Sequence, residues 1–142
     1  MGRPGSPKGR CEAVKRGGLL HPDLNFFVSM LGHTDRFCVA DAGLPIPEEV
    51  PRVDLAFVPG RPSFQDVLEA VLEAVVVEHA FCAAQASSEL KGLLKQVLGP
   101  GCPLEEVPHE ELKSMLRTVR FVVRTGECTP YANVILQSGV FF

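Results

Sequence analysis

Residues 31–47 read LGHTDRFCVADAGLPIP, and the other predicted elements are arranged on either side of this stretch. The apolar run within residues 36–40 predicts a short buried strand. His33 precedes this run and Asp41 follows it, so an ionisable group flanks each end of the predicted strand. The prolines in residues 43–47 then prevent regular structure and stiffen the loop.

Amphipathic helices are predicted before and after this stretch. Apolar residues recur with helical spacing over residues 24–31, and Gly32 suits the left-handed position that ends a helix. Residues 63–75 carry an apolar stripe opposite acidic and polar side chains. Ser63 suits the N-terminal capping position of that helix, because a serine hydroxyl can accept a hydrogen bond from the first turn.

The remaining segments alternate between helical and strand-like patterns. Two further helices are predicted, at residues 90–98 and from Pro108 onwards. Further strands are predicted at residues 53–58, 75–83, 104–107, 119–123 and 134–136. This alternation predicts a single-domain, layered α/β fold with a central mixed sheet flanked by helices. We assign residues 15–142 to that domain and predict that residues 1–14, which are basic and rich in glycine and proline, form a disordered tail.

Composition excludes several classes of function. The net charge of −3 argues against a nucleic-acid partner, and no apolar run is long enough to cross a bilayer. The five cysteines are widely spaced and form no C-x-x-C pair, which favours free thiols in a reducing cytosol. No histidine pairs with another histidine or a cysteine at the spacing of metal ligands. We therefore predict a cytoplasmic protein without a metal site.

The clearest candidate for proton transfer is His33. It follows a helix C-terminus and lies two residues before Asp35, and both features favour an imidazole that can give and take protons near neutral pH. The alternative is a capping histidine on a surface turn. Asp41 follows a strand, where α/β folds usually place ligand groups. It could accept hydrogen bonds from hydroxyls or equally cap the loop.

A second polar cluster lies in residues 124–136, RTGECTPYANVIL. Tyr131 and Asn133 flank Ala132, so in an extended segment their side chains would point to the same side. A phenol and a carboxamide on one side form a donor–acceptor set that suits a polyol.

The other candidates carry weaker signals. Arg124 and Glu127 are predicted to form an ion pair that holds the loop. His109, at a helix start, either contacts the ligand or faces solvent. His79 is predicted to be structural, and a nucleophilic role for Cys128 is conceivable but not favoured.

Strand length separates the two ends of residues 31–47. His33 and Asp41 flank a five-residue strand and therefore stand about 16 Å apart, which is more than a monosaccharide spans. If both act on one ligand, either the turn at His33 folds back or two subunits share the site. The second option favours a symmetric homo-oligomer.

Taken together, these residues resemble the D-ribose pyranase and L-fucose mutarotase family of sugar mutarotases over most of residues 15–142. The motifs that carry the resemblance are L-G-H-T-D at 31–35, D-A-G-L-P-I-P at 41–47, P-S-F at 62–64 and R-T-G-E-C-T-P-Y-A-N-V-I-L at 124–136. The versions D-A-G-L-P-I-P and P-Y-A-N look like the ribose branch.

The resemblance implies cofactor-free interconversion of the pyranose and furanose forms of D-ribose in a cytoplasmic, ring-shaped homo-oligomer, a pentamer or a decamer. It implies that His33 is the proton donor. The residues that it implies bind the sugar between subunits are Asp41, His109, Tyr131, Ala132 and Asn133. The alternatives are a mutarotase for another monosaccharide such as L-fucose, a non-catalytic sugar-binding partner of a transport system, and a scaffold whose polar residues only cap turns.

Overall fold

The computed structural model describes residues 14–142 and shows a six-stranded mixed sheet between two layers of helix. The helices are α1 (Pro22–Met30), α2 (Phe64–Ala74), α3 (Ser88–Leu98) and α4 (His109–Met115). The strands are β1 (Arg36–Ala40), β2 (Arg52–Asp54), β3 (Val77–Ala83), β4 (Leu104–Val107), β5 (Val122–Arg124) and β6 (Val134–Ser138). The predicted α/β fold is confirmed. The predicted tail, residues 1–14, lies outside the described residues except for Val14.

The order of strands in the sheet is β2-β5-β1-β6-β3-β4. The pairs β2–β5, β5–β1 and β3–β4 are parallel, whereas β6 runs antiparallel to both β1 and β3. Strands β1 to β5 therefore all end at one edge of the sheet, where β6 begins. We call this the carboxyl edge and the opposite one, where β1 to β5 begin, the amino edge.

Side-chain alternation along β1 explains why helices cover both faces of the sheet. Phe37 and Val39 pack in the cluster that α1, α2 and α3 complete, and Cys38 and Ala40 pack against α4. All four are fully buried, as expected for a central strand of an α/β sheet. Burial also raises the pKa of the Cys38 thiol.

The sequence predicted the strongest elements closely. Strands β1 and β4 have the predicted bounds, and α2 begins after Ser63, whose hydroxyl accepts a hydrogen bond from the N–H of Asp66 at 3.1 Å. Helix α3 is capped by Gly99, whose φ is 81°, a positive value that glycine adopts readily.

The predicted role of Gly32 as a left-handed helix stop is wrong. Helix α1 ends at Met30, Leu31 is already extended, and Thr34 instead adopts the positive φ of 72°. The backbone N–H of Gly32 donates to Asp35 Oδ2 at 2.8 Å, so its hydrogen-bond partner in this turn is a side chain. The left-handed residue falls two positions later, where the Thr34 N–H donates to the carbonyl of Ser138 at 2.9 Å.

Three predicted strands are shorter than expected, and β3 lacks the first two of its predicted residues because it begins at Val77. Strand β2 ends at Asp54 because the following residues turn, with Val58 and Arg61 forming an isolated bridge. Strand β5 begins at Val122, not at residue 119, because a 3₁₀ turn over Leu116–Thr118 prolongs the preceding helix.

Candidate functional site

An open pocket of about 430 Å³ lies at the carboxyl edge. Its walls come from residues 41–45, residues 127–131, His109 and Asn133. Pockets of roughly 300–1,000 Å³ are typical of small-molecule sites. The position is the one that open α/β sheets use for ligands, since loops from several strands converge there.

Asp41 and Asn133 form the floor of this pocket. The N–H of Asp41 donates to Asn133 Oδ1 at 2.8 Å, and Asn133 Nδ2 donates to Asp41 Oδ2 at 3.2 Å. The N–H of Gly43 donates to Asp41 Oδ1 at 3.0 Å, so this carboxylate also caps the loop that follows β1. Asn133 is 1% exposed, which leaves Asp41 as the more accessible member of the pair. The two residues are 92 positions apart and meet because β6 begins where β1 ends.

Tyr131 and His109 form an aromatic wall of the pocket. Their rings meet edge to face, with centroids 5.0 Å apart and planes at 79°. The backbone N–H of His109 donates to Gln85 Oε1 at 3.0 Å. The ring nitrogen Nδ1 of His109 is buried without a hydrogen-bond partner among residues 14–142. The imidazole of His109 and the phenol of Tyr131 both line the pocket, where such groups can exchange hydrogen bonds with a hydroxyl group that enters it.

The segment around Ala132 does not have the extended backbone that the sequence predicted. Tyr131 has a φ of 63°, and the N–H of Asn133 donates to the carbonyl of Tyr131 at 2.8 Å. Tyr131 and Asn133 both line the pocket because the chain turns between them. Ala132 is 1% exposed and packs in the core cluster that includes α1, α2 and α3, so it supports the wall from behind.

The predicted ion pair between Arg124 and Glu127 is wrong. Arg124 lies beside β2 and its Nη1 pairs with the carboxylate of Asp54 at 3.0 Å, as the strand register dictates. Glu127 instead accepts hydrogen bonds from the N–H of Phe64 at 3.0 Å and the hydroxyl of Thr129 at 2.7 Å. These bonds, the one from Phe64 foremost, lower the pKa of Glu127 and fix an anion at the N-terminus of α2.

Gly126 holds the second loop of the pocket close to the turn before α2. Its N–H donates to the carbonyl of Pro62 at 2.9 Å, and its own carbonyl accepts from the N–H of Gly60 at 2.7 Å. A Cβ at this position would run into the backbone carbonyl of Arg61. Only glycine permits this approach, which places residues 127–131 over the pocket.

His33 lies at the amino edge, away from the pocket. Its Nε2 is 2.8 Å from Glu78 Oε1, at the start of β3, and its side chain is 53% exposed. Asp35 does not contact it and instead pairs with the N–H of Gly32 and with Arg120. The bond from Gly32, more than Arg120, lowers the pKa of Asp35. The acidic partner of His33 is therefore Glu78, which no motif in the sequence indicated.

One copy of the chain does not bring His33 to the other candidate residues. Residues 36–40 form a strand between His33 and Asp41, so the turn at His33 does not fold back toward the pocket. The structure thus assembles Asp41, His109, Tyr131 and Asn133 at the carboxyl edge, and His33 at the amino edge.

The minor candidates have ordinary structural surroundings. His79 pairs with Glu105 at 3.2 Å on the neighbouring strand β4, as a structural histidine would. Cys38, Cys82, Cys102 and Cys128 are free thiols. Within residues 14–142, no group of three or more histidine, cysteine, aspartate or glutamate side chains is arranged to hold a metal ion, and no helix is long and apolar enough to span a membrane.

Comparison with known proteins gives consistent results. A D-ribose pyranase of Cutibacterium acnes is 50% identical over 130 residues, and the match covers 91% of this chain and all of the relative. A D-ribose pyranase of Streptococcus uberis is 47% identical over 130 residues, and the match covers 89% of this chain and 98% of the relative. The structure of Bacillus subtilis RbsD complexed with D-ribose superposes with a TM-score of 0.85 at 40% identity, covering 90% of this chain and 99% of that one.

The fold extends to more distant proteins. The fucose mutarotase of Streptococcus pneumoniae, in complex with L-fucose, superposes with a TM-score of 0.71 at 20% identity, covering 86% and 94% of the two chains. This likeness concerns the fold alone. The model of the RbsD / FucU transport protein family matches residues 14–141. The chain belongs to the RbsD / FucU family.

Proposed function

We propose that this protein is a sugar mutarotase that interconverts the pyranose and furanose forms of D-ribose by general acid–base catalysis. The observation that carries the proposal is the pocket at the carboxyl edge, where Asp41, His109, Tyr131 and Asn133 present hydroxyl-binding groups. The relatives that are 41–50% identical over most of the chain bear the name D-ribose pyranase. The fucose mutarotase shares only 20% identity, so ribose is favoured over L-fucose.

The carboxyl-edge residues would bind and orient the sugar. Asp41 offers an acceptor for ribose hydroxyls, and its carboxylate is held in place by Asn133 and by the backbone of Gly43. The imidazole of His109 and the phenol of Tyr131, which both line the pocket, can each exchange a hydrogen bond with a further hydroxyl. Fixed polar groups of this kind lower the entropy cost of holding a flexible polyol.

Ring interconversion needs only proton transfers. When the ring opens, the anomeric hydroxyl loses its proton, a carbonyl forms, the bond from the anomeric carbon to the ring oxygen breaks, and the ring oxygen takes a proton. When a different hydroxyl closes the ring, that hydroxyl loses a proton and the carbonyl oxygen takes one. The net proton count is unchanged, and no carbon changes its oxidation state over the cycle. An imidazole that gives a proton in one step and takes one in another ends in its starting state.

His33 is the side chain to which we assign this role. Since one chain places it at the amino edge, a complete site needs His33 from one copy and the carboxyl-edge residues from another. A heterologous contact between two different edges generates a closed ring when the rotation closes, which agrees with a pentamer or decamer. We accordingly propose a homo-oligomer in the cytoplasm whose pockets lie between subunits.

The first test is the rate at which ribose exchanges between its ring forms. Saturation-transfer NMR on D-ribose, with and without protein, should show faster pyranose–furanose exchange, and L-fucose measured in parallel should show little change. Acceleration of L-fucose exchange alone would reverse the choice of sugar. Binding of ribose without any change in the exchange rate would indicate a non-catalytic sugar-binding protein instead.

A further inference from the structure

A network of hydrogen bonds connects His33 to partly buried side chains of the sheet. His33 Nε2 lies 2.8 Å from Glu78 Oε1, and the other oxygen of this carboxylate, Oε2, accepts from Gln137 Nε2 at 2.7 Å. The Oε1 of Gln137 in turn accepts from Arg36 Nε at 3.0 Å. The guanidinium of Arg36 lies over the ring of Phe81, 4.6 Å from its centroid. This contact holds the end of the network that is farthest from His33.

The chemistry of these side chains decides which group donates and which accepts in every hydrogen bond of this network. Arg36 can only donate, so Gln137 must present its carbonyl oxygen to Arg36 and its amide nitrogen to Glu78. A carboxylate can only accept, so the nitrogen of His33 that faces Glu78 must carry a proton. The bonds from Gln137 and then from His33 lower the pKa of Glu78, which keeps this group in its accepting form.

We propose that Glu78 is a positioning residue for His33: it binds the Nε2–H and leaves Nδ1 as the nitrogen that exchanges protons with the sugar. The inference rests on the proposed role of His33 in catalysis. In a neutral imidazole one nitrogen donates and the other accepts, so the partner of Nε2 decides which nitrogen faces the substrate as an acceptor.

No other charged group within residues 14–142 competes for this nitrogen. Asp35, two residues away in the chain, accepts a hydrogen bond from the N–H of Gly32 and pairs with Arg120. His79, which follows Glu78 along β3, directs its Nε2 to Glu105 at 3.2 Å. Glu78 is thus the one carboxylate in the described part of the chain that bonds His33.

The substitution Glu78→Gln tests this assignment because it reverses the hydrogen bond. Gln137 still donates to the carbonyl oxygen at position 78, so the new amide nitrogen faces His33 and donates to Nε2. The proton of the neutral imidazole then moves to Nδ1. Long-range ¹H–¹⁵N NMR of the His33 ring, at a pH where it is neutral, should show the Nε2–H form in the wild type and the Nδ1–H form in Glu78→Gln.

The exchange rate of ribose should fall with the change of tautomer. We expect a loss of roughly 10- to 100-fold in Glu78→Gln, smaller than the loss from removing the imidazole itself. Glu105→Gln is the matched control: it alters an equivalent histidine–glutamate pair, at His79, and should leave both the His33 tautomer and the exchange rate unchanged.

The outcomes separate this inference from the proposed function. An Nδ1–H tautomer in the wild type, or a Glu78→Gln variant that accelerates exchange as well as the wild type, would overturn the role of Glu78. A wild-type protein with no effect on ribose exchange would overturn the proposed function instead, and the NMR spectra would still show whether Glu78 fixes the tautomer.

Discussion

The variant His33→Ala is expected to lose nearly all acceleration of ribose exchange. General acid–base catalysis by one side chain contributes roughly 10²- to 10⁴-fold to a rate, and the proposed sugar-binding groups at the carboxyl edge are held in place independently of His33. The ribose exchange rate measured by saturation transfer should therefore approach that of free ribose. Binding of ribose, measured by calorimetry or by ligand-observed NMR, should remain.

The chain supplies a matched control for this variant. His79 also pairs with a glutamate through its Nε2, and its side chain is 30% exposed. His79→Ala removes an imidazole that makes no hydrogen bond to His33 or Glu78 and does not line the pocket, so its exchange rate should match that of the wild type. Full activity in His33→Ala would remove this residue from the mechanism.

Asn133→Ala is expected to affect stability and activity together. Asn133 is 1% exposed, and its amide makes both an accepting and a donating bond to Asp41. Truncation leaves the N–H of Asp41 without its partner, which costs about 1–3 kcal/mol of unfolding free energy. Denaturant unfolding should show this loss, and ribose affinity should fall because the carboxylate of Asp41 is released.

Asn133→Asp separates shape from charge at the same position. It retains an acceptor for the N–H of Asp41 but replaces the donor, 3.2 Å from Asp41 Oδ2, with a second carboxylate. Two carboxylates at this distance share a proton, so the folded state binds a proton more tightly than the unfolded state does. The stability of the variant relative to the wild type should therefore fall as the pH rises from about 4 to about 7. If the stability of Asn133→Asp relative to the wild type were the same at pH about 4 and about 7, the expected repulsion between the two carboxylates would be contradicted.

Local patterns in the sequence predicted much of the fold. The bounds of β1 and β4 and the serine cap of α2 follow from short-range rules of apolar spacing, turn residues and capping. The position of Asp41 at the carboxyl edge follows from the general rule that strand ends collect ligand groups in α/β sheets. These features depend on residues that are close in sequence.

The contacts that sequence analysis misplaced or missed at the two edges join residues that are far apart in sequence. Arg124 pairs with Asp54 because β5 lies beside β2, and Glu78 meets His33 because β3 begins near the turn before β1. The local sequence pattern determines neither the order of the strands nor their register. The positive φ of Tyr131 was missed for a related reason, since the turn serves a loop whose course is set by contacts around Gly126.

Each proposed site combines the amino edge of one copy with the carboxyl edge of another. Mixing His33→Ala with Asn133→Ala, by joint unfolding and refolding of equal amounts, tests this arrangement. At ribose concentrations too low for Asn133→Ala to bind the sugar, each variant alone should have little activity, but in mixed rings about one quarter of the sites would combine an intact His33 with an intact carboxyl edge. Tyr131→Ala provides a second carboxyl-edge variant for the same mixture.

The control mixture combines His33→Ala with the double variant that carries both substitutions, and it should stay inactive because no copy supplies His33. In the first mixture, we expect recovery of about one quarter of the wild-type exchange rate, as shared sites in randomly mixed rings require. Mixed oligomers that form and yet show no more activity than the separate variants would contradict the shared site.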